Sequence, residues 1–196
     1  MMDIEKIIES AYSLYMPQEK EEITQLAKFV YELQPKVVVE IGTKFGGTFK
    51  IWNEVTNAKT ISIDLVAGIH GGVTRDDVDN RNKSFINLYG SRCNFIEGDS
   101  HQDLIYDLLI NILKGQKIDF LFIDGDHTYE GVKQDYEMYK ELVSDNGYIA
   151  FHDINDTQRH RDRNVYVGKL WNELIGEKIE FNVKADWAGI GVIKKN

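Results

Sequence analysis

A single cysteine in 196 residues, Cys93, leaves no internal disulfide and rules out a cysteine-rich metal site. It stands in the apolar segment CNFIEGD, which suits a core position better than a nucleophile. No apolar run approaches the ~20 residues that span a bilayer. The opening MMDIEKIIES lacks the basic-then-apolar order of a secretory signal. A reducing cytoplasm is therefore the expected location, with no membrane partner. Basic residues are in deficit, 23 Lys and Arg against 32 Asp and Glu, for a net charge of −9. That balance argues against a nucleic-acid backbone as the main partner. Repeats, low-complexity tracts and linkers are absent too, so residues 1–196 read as one domain with a sizeable core. An apolar share of 42% with 28% charged residues is a soluble globular balance.

Also absent is the dinucleotide-binding pattern G-x-G-x-x-G. In its place Val37 to Thr48 reads VVVEIGTKFGGT, with the spacing E-x-G-x-x-x-G. The β-branched run suits a buried parallel strand, and Gly42, Gly46 and Gly47 suit a tight turn that opens a helix beside a ligand. Turns at the carboxyl end of such strands are where open α/β sheets bind ligands.

The rest of the chain alternates around this stretch. Residues 3–15 suggest a short helix, and Ile23, Leu26, Ala27, Val30 and Leu33 a second one between Pro17 and Pro35, so 1–34 read as N-terminal helices. Strands are expected at 36–41, 59–64, 93–97, 118–123 and 147–151. Helices are expected from 46 to 55, around Leu104 to Ile112, from Val132 to Val143 and from Val167 to Leu174. Two closing strands, 178–184 and 188–194, read as a hairpin turning near Asp186 to Gly189. This pattern predicts an α/β, Rossmann-like, doubly wound sheet, mostly parallel with a C-terminal antiparallel pair. Two stretches break it. Residues 65–84, with His70, read as an irregular insertion that could act as a lid, and 154–164 as a loop carrying Arg159, Arg161 and Arg163. The arginines would suit an anionic acceptor, or simply a solvated loop. Tyr12 and Tyr15 could mark a contact surface of a homo-oligomer.

Acids recur at strand ends. Glu40 ends the first strand and Asp64 the second, 24 positions on, where a carboxylate can accept the hydroxyls of a ribose or merely cap a helix. Gly98-Asp99-Ser100 follows the third strand, as an adenine contact, a helix N-cap, or both. Asp124 and Asp153 end the next two. His127, three residues past Asp124, is the best general base, and His152 is a core histidine or a ligand. Asp126 suits a turn cap, and Tyr129 packing.

The turn EIGTKFGGT resembles the first motif of the class I S-adenosylmethionine-dependent methyltransferases. With IDGDHTYEGVKQD and GYIAFHD it resembles the branch of cephalosporin-hydroxylase-like proteins and metal-dependent macrolide-sugar O-methyltransferases, over about residues 20–155. The resemblance implies S-adenosylmethionine as cofactor, held by Glu40, Gly42, Thr43, Gly46, Asp64, Gly98, Asp99, Ser100 and Asp124. It implies O-methylation of a small hydroxylated acceptor, with Asp124 and His127 catalytic. It also implies Mg²⁺ on Asp124, His152 and Asp153; several relatives have two acidic or amide residues where His152-Asp153 stands, and imidazole suits a softer ion such as Mn²⁺. A donor-binding protein without turnover and an NAD-linked oxidoreductase are the rival expectations.

Overall fold

The structure, a computed structural model, describes residues 2–66, 73–184 and 186–195. Two helices, α1 (Ile4–Tyr12) and α2 (Lys20–Leu33), precede strand β1 (Val37–Ile41). Then follow α3 (Gly47–Val55), β2 (Lys59–Asp64), α4 (Arg75–Tyr89), β3 (Cys93–Glu97), α5 (Asp103–Leu113), β4 (Ile118–Ile123) and α6 (Tyr129–Tyr139). The chain closes with β5 (Val143–His152), α7 (Gln158–Arg161), α8 (Val167–Glu173), β6 (Lys178–Phe181) and β7 (Ile190–Lys194).

The strands form one sheet in the order β3-β2-β1-β4-β5-β7-β6. The first five run parallel, and β7 runs antiparallel to both neighbours. Sequence order reverses between β1 and β4, the switch point at which open α/β sheets place ligands. Side chains of β1 alternate across the sheet as a two-residue period requires. Val37, Val39 and Ile41 pack with α5, α6 and α8, while Val38 joins α1, α2 and α3 on the other face. Both faces are covered, which is why all five residues of β1 are buried and its sequence shows no polar alternation.

Three expectations change. Residues 75–84 of the expected irregular insertion at 65–84 belong to α4, which runs on to Tyr89. Its start is a reciprocal capping box in which Thr74 accepts from Asp77 N and Asp77 accepts from Thr74 N. Only Val78, Arg81 and Phe85 of α4 are buried, too sparse a stripe to announce a helix. The remaining core of that insertion, His70 included, falls in 67–72, outside the described residues. Val143 begins β5 rather than ending a helix, because α6 stops at Tyr139 and a 3₁₀ turn intervenes. The loop at 154–164 holds the short α7, capped by Thr157, which accepts from His160 N.

Candidate active site

Strand ends converge at the switch point. Asp124 N donates to Ile41 O at 2.8 Å, Gly42 N to Ile63 O at 2.9 Å and Gly98 N to Asp64 O at 3.0 Å. The four carboxyl ends thus lie along one rim, with Asp64, Asp99 and Asp124 on it. Gly42 adopts φ +89°, and a Cβ there would stand 2.1 Å from the Asp124 carbonyl oxygen, so no other residue fits this crossing. Gly46, at φ +90°, caps α3 and leans on Phe85 and Arg81 of α4.

Glu40 is not at the rim. It is wholly buried on the α3 face, where Trp52 Nε1 donates to its Oε2 at 2.5 Å. Its Oε2 anchors Trp52 beneath the turn, and its Oε1 has no partner among the described residues. Burial pushes its pKa up to about 8, against the opposing pull of the Trp52 hydrogen bond.

Asp64 is clamped. Its Oδ1 accepts from Thr43 N at 3.2 Å and its Oδ2 from Arg81 Nη1 at 2.6 Å. Arg81 also reaches the Lys44 carbonyl, and its Nη2 is buried without a partner among the described residues. Thr43 is fixed in turn by Ser62, whose hydroxyl donates to Thr43 Oγ1 at 2.7 Å. On the next loop Asp99 Oδ1 accepts from His101 N at 3.0 Å, and Tyr139 donates to the Ser100 carbonyl at 2.7 Å. The N-cap of α5 is Gln102, so neither Asp99 nor Ser100 takes that role. His101 lies 3.3 Å from the fully buried Asp135, whose hydrogen bond raises the imidazole pKa to about 8.

Beside the turn opens a cavity of about 240 Å³. Gly42, Thr43, Asp124, His127, His152 and Asp153 line it, whereas Asp64, Gly98, Asp99 and Ser100 lie outside it, further along the rim. The floor is a tight cluster of two carboxylates and three imidazoles. His152 Nδ1 sits 3.2 Å from Asp124 Oδ1 and 3.3 Å from Asp153 Oδ1, bridging the two acids. His127 Nδ1 sits 3.1 Å from Asp153 Oδ2, and its Nε2 is 4.0 Å from Asp124. Asp153 holds its place in the left-handed region, φ +63°, a conformation that aspartate tolerates better than most residues. Burial opposes its ionisation, but the His152 charge and the His127 hydrogen bond overcome that and hold its pKa far below the carboxylate range.

The cluster's chemistry suits a divalent cation. One ligand atom each from Asp124, His152 and Asp153 lie within 4.8 Å of one another, two hard oxygens and a nitrogen on one side of an open cavity. Asp126 does cap the turn, accepting from Thr128 N at 2.8 Å, and Tyr129 packs, donating to Glu173 at 2.7 Å.

Sequence reasoning missed three residues here. Gln18, between α1 and α2, donates from Nε2 to Asp124 Oδ2 at 2.8 Å across 106 positions of chain. His160, on α7, is buried with its Nε2 3.6 Å from Asp153. Trp187 comes from the connection between β6 and β7 and lines the cavity. That connection is held by the buried Glu22 of α2, which accepts from Val183 N at 2.9 Å and Gly189 N at 3.1 Å. No local pattern marks any of them. Tyr15, expected at a contact surface between copies, stacks edge-on against Phe45 at the cavity mouth.

Residues 39–154 match the family model described as a methyltransferase domain, well over half of the chain. The chain belongs to this methyltransferase family. Gly42, Asp64, Gly98 and Asp124, all within the matched span, stand at the strand ends that meet at the rim. An uncharacterized mimivirus protein, R132 of Acanthamoeba polyphaga mimivirus, is 33% identical over 129 residues, covering 64% of this chain and 55% of that protein. The uncharacterized protein y4gI of Sinorhizobium fredii is 23% identical over 159 residues, 78% of this chain and 16% of its own length. The chain thus spans about half or less of the length of these relatives. Among solved structures, the SAH-bound methyltransferase of Podospora anserina superposes with a TM-score of 0.64 at 16% identity, over 100% of this chain and 89% of that one. The O-methyltransferase of Bacillus cereus in complex with SAH gives 0.64 at 14% identity, over 98% and 90%. These two share its fold. No helix among the described residues is long and apolar enough to cross a membrane.

Proposed function

We propose that the protein is an S-adenosylmethionine-dependent O-methyltransferase acting on a small hydroxylated acceptor, of sugar or natural-product type. The observation that carries the proposal is the Asp153–His127–Asp124 floor, set at the switch point beside the glycine turn.

When bound, S-adenosylmethionine supplies an electrophilic methyl on sulfonium; a C–O bond to the acceptor forms as the C–S bond breaks, leaving the thioether. Asp64 would accept ribose hydroxyls, and the orphaned Arg81 Nη2 is a buried donor awaiting an oxygen beside it. The turn at Gly42 and Thr43 would hold the amino-acid end near Asp124. An alcohol is a poor nucleophile until its proton is drawn off. Asp153 would accept the Nδ1–H of His127, and Nε2, turned toward Asp124 and the cavity, would in the neutral ring be the atom that takes that proton. Asp124 itself is steered by Gln18 and His152. Asp124, His152 and Asp153 would hold a divalent cation, Mg²⁺ or the softer Mn²⁺, which when bound acidifies the acceptor hydroxyl.

Calorimetric titration with S-adenosylmethionine, S-adenosylhomocysteine and NAD tests the donor. Heat with the first two and none with NAD is expected, and NAD binding alone would overturn the reading. Turnover on a panel of sugar and phenol acceptors, with and without Mg²⁺ or Mn²⁺, then separates an enzyme from a donor-binding protein that has lost catalysis.

A further inference from the structure

Away from its aspartate–histidine floor the cavity also presents cationic side chains. Lys44, from the glycine turn, and Arg163, from the segment after α7, both line it. Each lies against an aromatic ring instead of an acid. Lys44 Nζ is 5.8 Å from the centre of the Tyr15 ring, and Arg163 Cζ is 5.6 Å from that of Trp187. Arg159 stacks on the same indole at 3.6 Å and adds a further positive charge to that wall.

Neither Lys44 nor Arg163 pairs with a carboxylate among the described residues, although acids outnumber bases by 32 to 23 in this chain. Other cations of this region are neutralised: Arg161 pairs with Asp156 at 2.5 Å, Lys184 with Glu19 at 2.8 Å, and Arg81 with Asp64 at 2.6 Å. Lys44 and Arg163, with Arg159 on the shared indole, thus meet aromatic faces and no carboxylate among the described residues. Their positions are also anchored. Val165 N donates to His160 O at 2.9 Å and Tyr166 N to His127 O at 2.7 Å, which ties the segment bearing Arg163 to the turn bearing the proposed base. Lys44 sits in the turn that Arg81 grips through the Lys44 carbonyl.

Charge then orders any occupant. The Asp124 and Asp153 carboxylates already engage His152 and His127 on the floor, whereas Lys44 and Arg163 meet no carboxylate among the described residues and attract an oxyanion to their end of the cavity. Phe45, Val165 and Trp187 give the walls between an apolar character. We propose that the methyl acceptor carries an anionic oxygen group, carboxylate or phosphate, at the end remote from its reacting hydroxyl, and that Lys44 and Arg163 bind that group. This deepens the methyl-transfer reading of the floor and rests on it for the placement of the hydroxyl.

The test is a calorimetric titration of the full chain with 4-hydroxybenzoate, 4-hydroxyphenyl phosphate and the neutral 4-hydroxybenzamide, with S-adenosylhomocysteine titrated separately. Wild type should bind both anions and bind the amide at least about tenfold more weakly, the worth of one charge-assisted hydrogen bond. Arg163→Gln and Lys44→Gln should each weaken the anions about tenfold and leave the amide unmoved. Added salt should weaken the anions alone, since the mouth is exposed. Preference between the two anions identifies the group. Absence of anion binding, or equal loss for anion and amide, would overturn the proposal. If the anions bind as expected but S-adenosylhomocysteine does not, the anion site stands and the methyl-transfer reading falls.

Discussion

Asp64 and Arg81 form an ion pair 2.6 Å long with nearly the whole of both side chains out of solvent. The pair joins the end of β2 to the middle of α4 and holds Asp64 against the turn at Thr43. Removing one member of a buried pair strands the other, at a cost of about 3–5 kcal/mol. Arg81→Ala should therefore destabilise the protein by about that amount in urea unfolding, while the double variant Asp64→Ala/Arg81→Ala should lose less than Arg81→Ala alone. Asp64→Ala should in addition weaken S-adenosylhomocysteine binding. Unchanged affinity in that variant would remove Asp64 from the donor site.

Gly42 and Gly90 make a controlled comparison. Both have positive φ, but a Cβ on Gly42 meets the Asp124 carbonyl at 2.1 Å whereas one on Gly90 meets nothing within 4 Å. Gly90→Ala should cost only the backbone strain of its φ +66°, ψ −149°, about 1–3 kcal/mol. Gly42→Ala should cost markedly more, because β1 and β4 must part, and should abolish donor binding. Equal midpoints in urea for the two variants would contradict this account of the switch point.

Glu40 gives stability a pH dependence of known sign. Its pKa is about 8 in the fold, against an ordinary 4.5 in the unfolded chain. Between those values the folded protein binds more protons than the unfolded one, so stability falls as pH rises from 4.5 to about 8 and is flat with respect to this group beyond. His101, raised to about 8 by Asp135, acts in the same direction: its contribution is complete below 6.5 and lost as pH climbs through 8. Glu40→Gln should flatten the melting temperature between pH 5 and 8 and leave the part due to His101. A slope identical to wild type would show that Glu40 is ionised throughout.

Gln18 and His127 act on opposite sides of Asp124 and should differ in kind. His127→Ala removes the proposed base, and loss of positioned general-base catalysis typically costs about 10²–10⁴ in rate. S-adenosylhomocysteine affinity should stay close to wild type. Gln18→Ala releases one oxygen of Asp124 and should lower single-turnover rate by about tenfold, the equivalent of one hydrogen bond to a charged group. Rescue by Gln18→Asn is not expected, since the shorter side chain cannot span the same 2.8 Å contact. Equal loss of donor affinity in both variants would overturn this division of roles.

The strand–helix alternation was legible because both signals are local. The β1 run VVVEI and the glycines after it state strand and turn within a dozen residues, and the acids at strand ends announce the rim by position alone. Helix α4 was not legible, for it buries only three side chains, one of them an arginine. Its one clear mark is the Thr74-x-x-Asp77 capping box, at the edge of a glycine-rich stretch that reads as loop. Glu40 shows the opposite failure. Strand period places it on the α3 face, yet its carboxyl group and its distance from Asp64 suggested a ligand.

The amino-acid sequence by itself determined the order of the strands and of the helices other than α4 and α7, the turn at Gly42 and the row of acids that ends at Asp153. These depend on periodicity and on backbone conformations that a few neighbouring residues impose. Tertiary structure alone decided which side chains face one another. Gln18 reaches Asp124, Glu22 holds the connection that carries Trp187, Arg81 closes on Asp64, and three histidines surround Asp153. Apart from His152, the chain neighbour of Asp153, each of these meetings joins segments that are remote along the chain or separated by a turn. Only packing of the helices and the sheet into one body brings their polar groups within reach.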